Sequence, residues 1–167
     1  MALLHEHLYR SEDVARLDFS EYVGSLAEQL ISVYGASHQV RLEADMEPLY
    51  FDMDTAIPCG LIVNELLSNA LKYGFHEGRS GVVRLQLRRI TDDSVRLAVA
   101  DDGIGLPDDF SWDESRSLGL RLVRALAEQL SGSVELARSP GTTFVITFPI
   151  PQSSKGEAPY AGQNSDR

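Results

Sequence analysis

Hydrophobic and polar positions alternate along the chain in two distinct rhythms. Phe19, Tyr22, Val23, Leu26, Leu30 and Val33 recur at helical spacing, with Asp18 or Ser20 as the cap and Gly35 as the stop. Residues 38–45 and 48–52 partly alternate and read as two short strands. A second helix starts at Asp54 or Thr55, holds Pro58 in its first turn, runs to about Tyr73 and stops at Gly74. Residues 82–90 and 94–100 form a hairpin around Thr91, Asp92 and Asp93, and the second strand leads into Asp101-Asp-Gly-Ile-Gly105. After an irregular polar stretch over 106–116, a third helix opens at Ser117-Leu-Gly-Leu120, carries Leu122, Val123, Leu126 and Leu130, and ends at Gly132. Residues 133–138 and 143–150 close the pattern as strands joined by a turn at Ser139-Pro-Gly141.

This order of helices and strand pairs predicts a two-layer α/β sandwich, with helices on one face of a mixed, mostly antiparallel sheet. Residues 18–150 make up that domain. Residues 1–17 read as the end of an upstream helix, and the polar stretch 151–167 as a disordered tail.

The second helix carries the most informative pattern. Each helical step turns about 100°, so Glu65, Asn69 and Lys72 align as one polar stripe. Val63, Leu66, Leu67, Ala70 and Leu71 cover the opposite face. A solvated face accounts for such a stripe unless other residues complete it. Two later segments are suited to do so. Asp101 ends a strand as a carboxylate able to accept from an exocyclic amine, and Gly103 lacks a Cβ that would hold a flat ring away from the backbone. Gly119 lies where a helix N-terminus exposes amides to an anion, with Arg116, Arg121 and Arg124 nearby in sequence. Taken singly, these segments are also explained by a glycine-rich turn, easier packing and solvated arginines.

Composition narrows the choice of partners. The 167 residues carry a formal net charge of −10, which argues against binding along a nucleic-acid backbone. Cys59 is the single cysteine, so there is no internal disulfide or cysteine-rich metal site. No apolar run reaches the ~18 residues of a membrane span and no signal peptide is visible, so the expectation is a cytoplasmic domain without membrane insertion. His5 and His7 lack further ligands in sequence and read as surface residues.

N-E-x-x-x-N-x-x-K-Y, then D-x-G-x-G, then S-L-G-L, closed by Gly141-Thr-Thr-Phe144, resemble the ATP-binding superfamily of gyrases, heat-shock chaperones, histidine kinases and mismatch-repair proteins (the Bergerat fold). LIVNELLSNALKY and SLGLRLVRALAEQL are most similar to bacterial sensor histidine kinases with a type-2 dimerisation domain, neighbours of the HWE kinases. The first 25 or so residues resemble that family's junction between dimerisation helices and catalytic domain.

The resemblance implies ATP and Mg²⁺ as ligands. Asn69 matches the Mg²⁺ ligand, Lys72 a phosphate contact, and Asp101 the adenine-reading carboxylate. Gly103 and Gly105 match the base pocket and lid hinge, and 107–116 a short lid. Gly119, with the amides of Leu118 and Leu120, matches the polyphosphate cradle; Asn64, Tyr73 and Thr143 match positions near the nucleotide. Glu65 stands where many histidine kinases carry Asn, and matches the carboxylate that activates the nucleophile. Ser117 replaces the first glycine of the more usual G-L-G-L.

The phosphoacceptor motif of these kinases does not occur here. The chain therefore resembles an incomplete, monomeric piece of a dimeric kinase, acting on a histidine of a dimerisation domain outside this sequence and, through it, on a response regulator. A stand-alone ATPase, an anti-sigma serine kinase and a non-catalytic interaction module are the alternatives on the same fold.

Overall fold

A computed structural model describes residues 16–36, 38–75, 78–112, 115–138 and 140–150. The upstream helix expected over 1–17 falls outside them, His5 and His7 included, except for its last two residues. The tail 151–167 also falls outside. Leu17 is not helical: Leu17–Asp18 form a two-residue strand, β1, antiparallel to β3 at Tyr50–Phe51.

Helix α1, Phe19–Val33, is capped by the Asp18 carboxylate, which accepts the Glu21 N–H at 3.2 Å. Helix α2, Met53–Asn69, begins earlier than its pattern indicated. Its cap is Asp52, whose Oδ1 accepts the Thr55 N–H at 2.9 Å, so Pro58 sits in the second turn rather than the first. At Ala70 the helix widens into a π-helical turn that ends at Gly74.

Five strands build the main sheet in the order β2-β4-β5-β7-β6: Val40–Met46, Gly81–Thr91, Ser94–Asp101, Thr142–Pro149 and Ser133–Ala137. Only the β2–β4 pair is parallel. The crossover between those two strands contains α2, which is therefore laid across the sheet. Helix α3, Leu118–Gln129, connects β5 to β6 and packs beside α2. Its end is a Schellman turn. Ser131 takes the left-handed conformation (φ 54°) and the Gly132 N–H reaches the Ala127 carbonyl at 2.8 Å. Gly132 is needed for a different reason from that expected, because a Cβ there would meet the Thr147 carbonyl oxygen at 2.7 Å.

Strand alternation separates a core face from an outer face. Val83, Leu85, Leu87, Val95, Leu97, Val99, Phe144, Ile146 and Phe148 are buried under the helices, against Ile62, Val63, Leu66, Leu67, Val123 and Ala127. The Phe51 ring is tilted against Phe19 and edge-on to Phe148, with centroids 4.9 and 5.9 Å apart, and joins the small sheet to the core. The outer face is polar: Arg84 and Arg88 pair with Glu43 and Asp45 across β2 and β4. Exposed pairs of this kind contribute little stability, about 0–1 kcal/mol each. Apolar burial under α2 and α3 holds the layers together.

Candidate nucleotide site

Asp101 is the last residue of β5, the central strand, and its side chain turns to the core face at 7% exposure. Burial pushes its pKa up, while backbone hydrogen bonds from Gly103 and Thr142 act against that rise. The Gly103 N–H donates to Asp101 Oδ1 at 2.9 Å. Asp102 turns the other way and accepts the Val82 N–H at 2.7 Å, which fixes the strand end against β4. Two adjacent carboxylates thus have separate duties, one structural and one facing the space under the helices.

Glycine spacing is dictated here by backbone contact. A Cβ on Gly103 would lie 2.6 Å from both Cα and O of Gly74, and the Ile104 N–H donates to the Gly74 carbonyl at 3.1 Å. The π-helical turn is thereby joined directly to the Asp-Gly bend. Gly105 and Gly141 both adopt positive φ, 76° and 68°, and pack on each other; a side chain at 141 would also run into the Asp101 carbonyl. Three glycine-containing segments, distant in sequence, are locked around one carboxylate.

A cavity of about 230 Å³ opens above this floor. Leu66, Ala70, Val99, Leu120 and Phe144 supply apolar walls; Asn69, Tyr73, Asp101, Ser117 and Thr142 supply polar edges. Leu106 and Phe110 close one side. Their segment is tied down by Arg138, which donates to the carbonyls of Pro107, Asp108 and Phe110 and lies over the Phe110 ring. Arg124 holds the next part, donating to the Trp112 carbonyl with its guanidinium 5.0 Å from that ring centroid. Trp112 in turn packs 5.4 Å from Phe144. Arg124, a candidate phosphate partner by sequence, is thus engaged with Trp112, and Arg116 and Arg121 are exposed.

The structure brings together most, but not all, of the residues singled out by sequence. Asn69, Tyr73, Asp101, Gly105 and Leu120 line the cavity, and Gly103 backs it. Glu65 reaches the start of α3: its Oε2 would lie 2.5 Å from a Cβ at Gly119, so glycine leaves the slot that the carboxylate enters. Lys72 lies within the π-helical turn and is not among the residues lining the cavity; its Nζ is 5.8 Å from the Tyr34 ring centroid. Asn64 is half-buried on α2 without lining the cavity, and Leu118 is 81% exposed.

Thr143 lies on the outer face, beside Arg84, Gln86 and Arg96; its neighbour Thr142 is the buried one. Counting back by twos from Phe148, Ile146 and Phe144 gives Thr142 the inward position, a signal present in the sequence. Ser117 was read only as the first position of the S-L-G-L cradle and Phe110 only as part of the short lid 107–116; both line the cavity.

Comparison with known proteins bears on the same residues. The sequence profile described as histidine kinase-, DNA gyrase B-, and HSP90-like ATPase matches residues 55–152. The chain belongs to this family. A second profile, described as histidine kinase, matches residues 1–34. The chain is 30% identical over 156 residues to blue-light-activated histidine kinase 2 of Erythrobacter litoralis, covering 89% of this chain and 44% of that protein. It is 31% identical over 157 residues to sensor histidine kinase PdtaS of Mycobacterium tuberculosis, covering 90% and 30%. The solved histidine kinase domain of an Erythrobacter litoralis blue-light-activated histidine kinase superposes with a TM-score of 0.74 at 30% identity, covering 80% of this chain and 61% of that one. The chain therefore spans less than half the length of these two curated relatives.

Within this ATPase family the chain is of the histidine-kinase type, with the predicted sandwich and mostly antiparallel sheet. No helix among the described residues is long and apolar enough to cross a membrane.

Proposed function

We propose that this chain binds ATP with Mg²⁺ and serves as the catalytic domain for phosphoryl transfer to a histidine on a dimerisation domain, from which a response regulator is phosphorylated. One observation carries the reading: Asn69 and Asp101, separated by 32 positions in sequence, border the same cavity, with an apolar slot between them. A flat base fits between Leu66, Val99 and Phe144, with its exocyclic amine directed at the Asp101 carboxylate.

The donor set suits a magnesium ion carried by the nucleotide. Among the described residues no three His, Cys, Asp or Glu side chains converge on one point. Mg²⁺ bound to a nucleotide takes most of its oxygens from phosphate and water, and one protein ligand such as the Asn69 amide oxygen is then sufficient. That ion, when bound, neutralises charge on the phosphates.

The remaining roles belong to this chain's own groups. Amides at the start of α3 face the polyphosphate, and Gly119 keeps them accessible. Glu65, at that helix start, accepts the imidazole N–H proton as the histidine nitrogen bonds to the γ-phosphorus and the bond to the ADP oxygen breaks. Tyr73 and Phe110 cover the base, and Leu120 forms part of the wall.

Calorimetry with ATP, with and without Mg²⁺, on this chain and on Asp101→Ala tests the binding reading. We expect millimolar or tighter affinity that Mg²⁺ strengthens and Asp101→Ala reduces; no binding at millimolar ATP makes the chain a non-catalytic module. Mixing with a histidine-bearing dimerisation domain should then yield acid-labile phosphohistidine, whereas acid-stable phosphoserine would mark a serine kinase instead.

A further inference from the structure

Lys72 and Tyr34 form a contact that nucleotide binding does not require. Tyr34 is the C-cap of α1, the helix whose end coincides with the end of the histidine kinase profile match at residue 34. Its ring carries the Lys72 ammonium at 5.8 Å, and Ser68 first, then Lys72, lower the pKa of its hydroxyl. Ser68 is buried on α2, one turn before Lys72 and one turn after Glu65, and the Glu65 charge also acts on the Tyr34 hydroxyl. A cation, a phenol, a hydroxyl and a carboxylate therefore form one cluster at the phosphate end of the site, outside the cavity itself.

The π-helical turn carries Lys72, Tyr73 and Gly74 together: Tyr73 and Gly74 line the cavity, while Lys72 lies against Tyr34 at the end of α1. An ammonium close to an aromatic ring is attracted to it. The Ser68 hydrogen bond is the largest influence lowering the Tyr34 pKa, and it draws negative character toward the oxygen that Lys72 faces.

We infer that Tyr34 is a positioning residue that holds Lys72 away from the phosphates, so that the end of α1 sets how much of the time this cation is available to bound nucleotide. This rests on the proposed function, with Lys72 as the phosphate contact that the family resemblance implies. Apparent affinity scales with the fraction of molecules in the competent arrangement, so holding Lys72 lowers ATP affinity without altering the base pocket. Movement of α1 relative to α2 would release or hold the cation, giving the junction helix a direct effect on the phosphate end.

The test compares ATP·Mg²⁺ with adenosine on the 167-residue chain by calorimetry. Tyr34→Leu removes ring and hydroxyl, and should bind ATP about two- to fivefold more tightly, the span expected for an exposed cation–ring contact. Adenosine affinity should stay unchanged, and the gain should vanish in Lys72→Met. Tyr34→Phe keeps the ring and should give a smaller gain of the same pattern, so it carries the test if Tyr34→Leu fails to fold. Equal ATP affinity in native and variant, a parallel change for adenosine, or a gain that persists in Lys72→Met would each overturn the inference. A native chain that binds no ATP would instead defeat the function on which it rests.

Discussion

The two ends of the cavity are built differently. At the base end, Asp101 is 7% exposed, held by backbone N–H groups and enclosed by glycines whose neighbours are backbone atoms. At the phosphate end the key atoms lie on side-chain tips: the Glu65 carboxylate in the Gly119 slot, the Lys72 ammonium on Tyr34, and an exposed Leu118. Backbone contacts allow no adjustment without moving strands, whereas side-chain tips move by rotation. On the proposed function, base recognition is preformed, and the phosphate end is the part whose side chains are free to rotate.

The largest separation of the two ends comes from Glu65→Gln. The amide keeps the shape and removes the proton acceptor, so single-turnover transfer to a supplied histidine domain should fall by ~10²–10⁴-fold. ATP affinity should change little, since the base end is untouched. A variant with normal transfer removes Glu65 from the chemistry.

The same substitution at two glycines sharpens the contrast. Gly141→Ala puts a Cβ into the Asp101 carbonyl at a positive φ, combining overpacking with left-handed strain. Together these should cost about 2–5 kcal/mol of stability. Thermal unfolding would detect this, with adenosine and ATP binding lost together. Gly119→Ala meets only the Glu65 carboxylate tip, which rotates away, so stability should change by no more than about 1 kcal/mol. ATP affinity should drop with adenosine affinity unaltered. Equal destabilisation by both alanines would mean that the two ends are equally rigid.

The base end was also the more legible in sequence. Asp101, Gly103 and Gly105 stand on a strand terminus and bend whose geometry follows from local rules; β5 starts at Ser94 as expected and runs one residue further, to Asp101. The π-helical turn that carries Lys72 leaves no mark in a pattern read at 100° per residue. Thr143 was chosen over Thr142 although strand parity distinguishes them. The start of α2 was read two or three residues late because Asp52, Asp54 and Thr55 are all good caps, and tertiary packing chose Asp52. Phe110 enters the cavity through Arg138 contacts across 28 residues, a nonlocal arrangement with no sequence period.

The smallest expected effect tests the burial of Asp101 itself. Its pKa in the folded chain is raised above the ordinary 3.8, chiefly by desolvation. On acidification the folded protein takes up this proton before the unfolded chain does. The contribution to stability is therefore fully present below 3.8 and is lost as pH rises through the raised value. Other carboxylates titrate nearby, so the measurable quantity is a difference: unfolding free energy of the native chain minus that of Asp101→Asn, followed upward from pH 3.8. That difference should decline with pH and then level off. ATP affinity should run the other way, since the adenine amine needs the ionised acceptor; the native chain should lose affinity on acidification through the same window, and Asp101→Asn should show no such loss there. A flat stability difference would mean that water reaches Asp101 freely, and the preformed base end would then be no drier than the phosphate end.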